Sequence, residues 1–164
     1  MERFMELYSE VYRDLYRLAY YYLGNAEDAE DAVQDTALAA YEHFPGLKQK
    51  ASFRPWIFRI LVNHCRRCLK KRKRTMYVPE DALEVCGLET ADLSLQTQVL
   101  ELLSVLKEEE RLIVVLTVFG GYKGQEIARL LKKKHSTIRS KYRRALKKLE
   151  QELSKEPKGK EMRR

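Results

Sequence analysis

The residues best equipped for chemistry stand together in one run, "WIFRILVNHCRRCLKKRKR" from Trp56 to Arg74. It holds the only tryptophan, a His64-Cys65-x-x-Cys68 cluster, and seven cations in the nine positions from Arg66. On a helix the three cluster residues, three or four positions apart, share one face. Zinc sites usually need four ligands in two pairs, and Cys86 is the only spare thiol, so packing as small hydrophobes is the simpler role for the cysteines. Nearby cations would favour a thiolate if Cys68 were exposed, which leaves sensing of metal or oxidant by Cys65, Cys68 or Cys86 as an alternative. The rings of Phe53, Trp56 and Phe58 beside so many cations suit single-stranded or partly melted nucleic acid, whose bases stack. Core packing is the equal alternative for Trp56.

Catalysis finds little support. The chain carries no HExxH, GxxxxGK[ST] or G-x-S-x-G, and His43, His64 and His135 are scattered. No enzyme, metal or cofactor is therefore expected. No apolar run approaches the roughly 20 residues that span a bilayer. The start "MERFMELYSE" is acidic and amphipathic, unlike a signal peptide, so a cytoplasmic protein with no membrane insertion is expected.

Charge is distributed in blocks. Residues 1–46 carry 3 basic and 10 acidic side chains, residues 47–74 carry 11 and 0, residues 75–110 carry 1 and 9, and residues 111–164 carry 17 and 5. Two basic blocks separated by acidic ones suit a polyanion touched twice, with a non-anionic partner meeting the acidic parts.

These side chains need elements to hold them. Phe4, Leu7, Val11, Leu15, Leu18 and Tyr22 recur at three and four, which predicts a helix over 2–23 ending at Gly24. Asn25 caps a second helix whose buried stripe is Ala29, Ala32, Val33, Thr36, Ala40, Tyr41 and Phe44, stopped by Pro45-Gly46. Ser52 can cap a third helix, with Pro55 in its first turn, running to about Arg74. Residues 75–92 lose the period and read as an acidic, flexible linker. Apolar spacing resumes at Leu95, Val99, Leu102 and Leu106, then at Leu112, Val115, Leu116 and Phe119 before Gly120-Gly121. The expected fold is all-α, with two small helical domains at 1–74 and 93–154 and a disordered basic tail at 155–164.

The last two helical segments, "GQEIARLL" and "STIRSKYRRALKKLEQEL", are joined only by "KKKH", which forces a sharp crossing of helix-turn-helix type. Ile127, Ala128 and Leu131 would face Ile138, Tyr142, Ala145 and Leu149. The opposite face presents Ser136, Thr137, Arg139, Ser140, Arg143, Arg144 and Lys147, able to contact guanine, hydroxyl acceptors and phosphates in a major groove. Lys148 is expected to add an even, slight phosphate attraction, and Lys132 holds a turn position where glycine is common.

"AEDAEDAVQDTALAAYEHF", "SFRPWIFRILVNHCRRCLKKRKR" and "LKEEERLIVVLTVFGGYKGQEIARLLKKKHSTIRSKYRRALKKLEQEL", in this order and spacing, resemble the extracytoplasmic-function (group IV) sigma factors of bacterial RNA polymerase over roughly residues 4–153. The resemblance implies an alternative sigma factor. Its sigma domain two would dock on the β′ clamp helices of core polymerase through Asp31, Gln34 and Asp35, with the β flap as a further polymerase contact. The loop Leu47, Lys48, Gln49, Lys50, Ala51 and Ser52, with Arg54, Trp56, Arg59, Asn63, Arg66 and Arg67, would capture and melt the minus-ten element. The helix from Ser136 in sigma domain four would read the minus-thirty-five element. An anti-sigma factor is implied as the controlling partner. Lys107 and the lysines at 132–134 depart from the family's usual proline and Gly-apolar-Pro turn. A stand-alone helix-turn-helix regulator that never joins polymerase is the second reading.

Overall fold

The computed structural model describes residues 1–75 and 93–155. Among these it is all-helical: α1 (Glu2–Leu23), α2 (Ala26–His43), α3 (Phe53–Thr75), α4 (Leu93–Ser104), α5 (Glu108–Val118), α6 (Gly124–Leu131) and α7 (His135–Ser154), with 3₁₀ turns at Phe44–Gly46 and Lys50–Ser52. The linker expected at 75–92, the tail at 155–164 and Cys86 lie outside the described residues, apart from Thr75 and Lys155.

The N-terminal domain packs α1, α2 and α3 on one another. Gly24 ends α1 in the left-handed region (φ 86°), its N–H donating to Tyr20 O at 2.8 Å. A side chain there would be strained, which is why glycine stops the helix. One residue on, Asn25 Oδ1 accepts from the Asp28 N–H at 2.8 Å and starts α2. The buried face of α2 is built of small residues, Ala29, Ala32, Val33, Thr36 and Ala40, so its neighbours approach closely. Thr36 satisfies its hydroxyl on Ala32 O at 2.7 Å. Against this face α3 sets Phe53, Ile57, Phe58, Leu61, Val62, Cys65 and Leu69, spaced as one helical stripe. Tyr41, expected on the buried stripe, is 45 % exposed and meets only the edge of Phe4 (5.4 Å), while Phe44 has left the helix for the turn. Pro45 and Gly46 follow too soon for the last turn to stay α-helical.

Arg72 locks the far end of this domain. Its guanidinium donates to Leu23 O at 3.0 Å, an orphan carbonyl of the α1 C-terminus, and pairs with Asp28. One of the seven clustered cations is therefore structural. Burial alone would raise the Asp28 carboxyl, but hydrogen bonds from Asn25 and Arg72 hold it below its ordinary value.

In the C-terminal domain α5 packs against α7, and α6 crosses both. Leu103 and Leu106 of the α4 segment are buried, whereas Leu95, expected on the buried face, is 55 % exposed. Three glutamates open α5, where they complement the helix dipole. Glu109 takes Lys133 and Lys141 at 2.5 Å each, and buried Glu110 takes Lys148 at 2.8 Å. Lys148 thus points inward as a structural partner, against the expectation of a phosphate contact, because α7's hydrophobic stripe carries its flank toward α5. Lys107 precedes α5 at φ −64°, the value that proline fixes, so the family's usual proline would fit there.

The two domains touch, and their buried residues form one cluster. Tyr21 stacks on Phe119 (4.6 Å between centroids, 8° between planes), Tyr122 meets Phe58 edge-on at 5.9 Å, and Tyr22 Oη donates to Glu108 Oε1 at 3.3 Å.

Candidate nucleic-acid interface

The helix-turn-helix forms as its spacing predicts. Ile127, Ala128 and Leu131 of α6 are buried with Ile138 and Ala145 of α7, and Tyr142 and Leu149 are half-buried beside them. Lys132 takes the left-handed conformation at the turn (φ 55°, ψ 47°), and the Lys133 N–H donates back to Ala128 O at 2.9 Å. Glycine adopts that conformation without steric cost, and lysine adopts it only because the crossing demands it. Seen from outside, Ser136, Arg139, Ser140, Arg143, Arg144 and Lys147 are all exposed, with Thr137 half-buried. This is a preformed rigid face carrying four cations, of the width and chemistry that enter a major groove.

The N-terminal basic face is assembled differently. Lys48, Gln49, Lys50 and Ala51 stand exposed on the turn between α2 and α3, with Leu47 and Ser52 half-buried at its ends. Two backbone bonds brace it, Leu47 N–H to Phe44 O (3.0 Å) and Ser52 N–H to Gln49 O (3.1 Å). Arg59, Asn63, Arg66 and Arg67 are exposed along α3 and continue the same surface. Arg54 is already engaged: Nη1 bonds Asp14 at 3.1 Å, Nη2 reaches Gly120 O at 3.4 Å, and the guanidinium lies 4.7 Å from the Phe58 ring centre.

The aromatic expectation is corrected in part. Phe53 and Phe58 are 2 % and 0 % exposed, so they belong to the core and offer no stacking surface, because they fall on the apolar stripe of α3. Trp56 is half-buried, its ring 5.9 Å from Phe53 and part of it open to solvent, so core packing does not use the whole ring. The cysteines divide likewise. Burial pushes the Cys65 thiol well up, and burial together with the Asp28 carboxylate pushes Cys68 up, the reverse of what a thiolate ligand or sensor needs. Burial and Arg67 hold His64 below its ordinary value. Among the described residues no group of three or more His, Cys, Asp or Glu is placed to hold a metal ion, and no helix is long and apolar enough to cross a membrane.

On the far side of the N-terminal domain, Asp31, Gln34 and Asp35 are exposed on α2. Beside them runs a groove of about 450 Å³ lined by Tyr8, Tyr12, Tyr16, Val33, Gln34 and Leu38, with Tyr12 45 % and Leu38 65 % exposed. Sequence reasoning missed this groove, although tyrosines at every fourth position from Tyr8 to Tyr20 were a readable signal of an aromatic helix face. It also missed Asp14 and Gly120 as partners of Arg54, since no local spacing links residues so far apart.

Comparison with known proteins places both domains. Residues 7–75 match Sigma-70 region 2, and residues 96–149 match Sigma-70, region 4. The chain is 28 % identical over 140 residues to the RNA polymerase sigma factor SigV of Bacillus subtilis, covering 85 % of this chain and 84 % of that protein. It is 30 % identical over 142 residues to the ECF RNA polymerase sigma factor SigM of Mycobacterium tuberculosis, covering 87 % and 72 %. Among solved structures, the fold is similar to the sigma factor RpoE of Bartonella quintana, solved in complex with the anti-sigma factor NepR (TM-score 0.79, 23 % identity, 96 % of this chain and 100 % of that one). It is also similar to CnrH in complex with the cytosolic domain of CnrY (TM-score 0.71, 25 % identity, 93 % and 89 %).

Proposed function

We propose that this chain, which belongs to the extracytoplasmic-function sigma factors of RNA polymerase, divides promoter recognition between its two basic faces and binds core enzyme through its acidic one. The observation that carries this division is the placement of three exposed faces of different chemistry: acidic α2, the basic turn with α3, and the cationic outer face of α7. The chain is a transcription initiation factor and not an enzyme, so its residues bind and deform DNA while polymerase does the chemistry.

In this reading residues 1–74 form sigma domain two, 75–92 the linker and 93–154 sigma domain four. Asp31, Gln34 and Asp35 meet the β′ clamp helices, and domain four meets the β flap. The rigid α7 face reads duplex at the minus-thirty-five element, with Arg139 and Arg143 suited to guanine edges and Arg144 and Lys147 to phosphates. At the minus-ten element the turn from Leu47 to Ser52 receives unstacked bases. Arg54, Arg59, Arg66 and Arg67 draw the strand along α3, Asn63 offers a donor and an acceptor to a base edge, and the open part of Trp56 gives a stacking surface. Binding energy won on phosphates offsets the few kcal/mol that unstacking costs. An anti-sigma factor that covers the polymerase face completes the proposal.

Charge reversal at Asp31→Lys with Asp35→Lys tests it. Core polymerase should no longer co-purify with the chain, while binding of the isolated chain to DNA is retained. Unchanged polymerase association would favour a stand-alone helix-turn-helix regulator.

A further inference from the structure

The arginines of the proposed minus-ten surface do not share one charge environment. Arg59, Arg66 and Arg67 stand exposed along α3, and among the described residues none of them is paired with a carboxylate. Arg54, half-buried in the first turn of α3, has the Asp14 carboxylate of α1 at 3.1 Å. The two lie 40 positions apart, so their meeting is made by the packing of α1 on α3 and belongs wholly to the N-terminal domain.

Arg54 is held from more than one side. Its guanidinium lies over the Phe58 ring, 4.7 Å from the centre, and that ring is itself fully buried and fixed. Asp14 takes one N–H of Nη1, and the Gly120 carbonyl takes a longer bond from Nη2 at 3.4 Å. Most of the guanidinium's N–H donors stay unspent, next to the turn that ends at Ser52. A carboxylate this close cancels most of the cation's pull on a phosphate, because paired opposite charges attract at distance far less than a single one. The unspent donors remain, and their directions are fixed. An oriented fork of donors with little net charge suits the acceptor edge of an unstacked base better than a phosphate.

We propose that Asp14 is a positioning residue for minus-ten recognition: it turns Arg54 from a grip on phosphate into a reader of the base that the turn receives, while Arg59, Arg66 and Arg67 hold the backbone. The proposal rests on the reading of the turn and α3 as the minus-ten surface.

The test uses holoenzyme assembled from core polymerase and the full chain, captured through a tag on the chain from a pool of random-sequence single strands. Strands of about 20 nucleotides exceed the roughly 4–16 that comparable surfaces cover. Sequencing the captured strands reads base preference, and retention against salt reads phosphate contacts. Asp14→Asn keeps the shape and removes the charge. It should lower the Arg54-dependent base enrichment by roughly 3- to 10-fold. It should also steepen the slope of log affinity on log salt by about 0.7, the share of one further phosphate on a single strand. Arg54→Ala should lose the same preference without steepening the slope, and Asp14→Asn should then add nothing. Melting followed by circular dichroism should barely change, since a half-exposed pair contributes little to stability. Either readout staying at its wild-type value in Asp14→Asn would overturn the proposal, and so would an undiminished effect of Asp14→Asn in the Arg54→Ala background. Asp14→Glu keeps the charge and should leave the slope as it is; a slope steepened there too would assign the effect to packing and equally overturn it. A holoenzyme with no base preference, or with one that Arg54→Ala leaves intact, contradicts the minus-ten reading of Arg54 and takes the proposal with it. An Arg54-dependent preference that Asp14→Asn leaves intact contradicts the proposal alone.

Discussion

The two basic faces are made in different ways. On α7 Arg139, Arg143, Arg144 and Lys147 lie on one exposed side of one helix, whose other side is fixed by Ile138 and Ala145. On the N-terminal domain the cations are shared between a short turn and α3, with Arg54 bound to Asp14 and Gly120 and Arg72 bound to Leu23 and Asp28. In the proposed reading α7 meets duplex whose bases stay stacked, and a finished surface can read their edges. In the proposed reading, bases captured at the minus-ten element leave their stack, and a short turn beside a cationic helix suits them.

Arg143→Ala should break the contrast most sharply. Discrimination between promoter and scrambled duplex should fall by about 10- to 100-fold, or roughly 1–3 kcal/mol, while affinity for unrelated DNA barely moves. A competition binding assay reads both, and an equal loss on all sequences would count against groove reading. Lys148→Ala comes next and should act on stability alone. It leaves Glu110, 4 % exposed, without its partner, at a cost of about 1–2 kcal/mol in denaturant unfolding. Lys147→Ala, one position away on the exposed side, should leave stability unchanged and lower the salt slope of DNA binding by about 1.

Acid should affect both domains, more weakly. Hydrogen bonds from Asn25 and Arg72 hold Asp28 low, and those from Lys133 and Lys141 hold Glu109 low, each against the opposing effect of burial. A carboxyl depressed by folding contributes stability above its unfolded value and loses it as pH falls through its folded value. The ordinary values are 3.8 and 4.5, so unfolding followed between pH 5 and 2 should show a loss that begins near these and that Asp28→Asn removes in part. The smallest change is a gain. Lys132→Gly relieves the left-handed turn and should add about 0.5–1 kcal/mol, visible as a raised Tm with DNA recognition intact.

Much of this was legible in the sequence where the signal is local. Gly24, Asn25 and the apolar period of α1 mark a helix end, a cap and a face within a few residues of one another, and "KKKH" between two amphipathic runs leaves only a sharp crossing. The α7 face was legible for the same reason, since one helix sorts its own residues. Phe53 and Phe58 were misjudged because an aromatic beside cations looks the same in sequence whether it faces the core or a base. Lys148 differs from Lys147 only by 100° around a helix, and what decides its role is Glu110 on another helix. Arg54 with Gly120, and Tyr21 with Phe119, join residues in different domains, and no local pattern encodes such a meeting.

Transcription in vitro tests the central claim most directly, with purified chain added to core polymerase on genomic DNA from the organism that encodes it and the transcript 5′ ends mapped. The account predicts new start sites that require the chain, share two upstream sequence elements at fixed spacing, and vanish with Asp31→Lys/Asp35→Lys. If no start site depends on the chain, or if those starts persist with the charge-reversed variant, the account is contradicted.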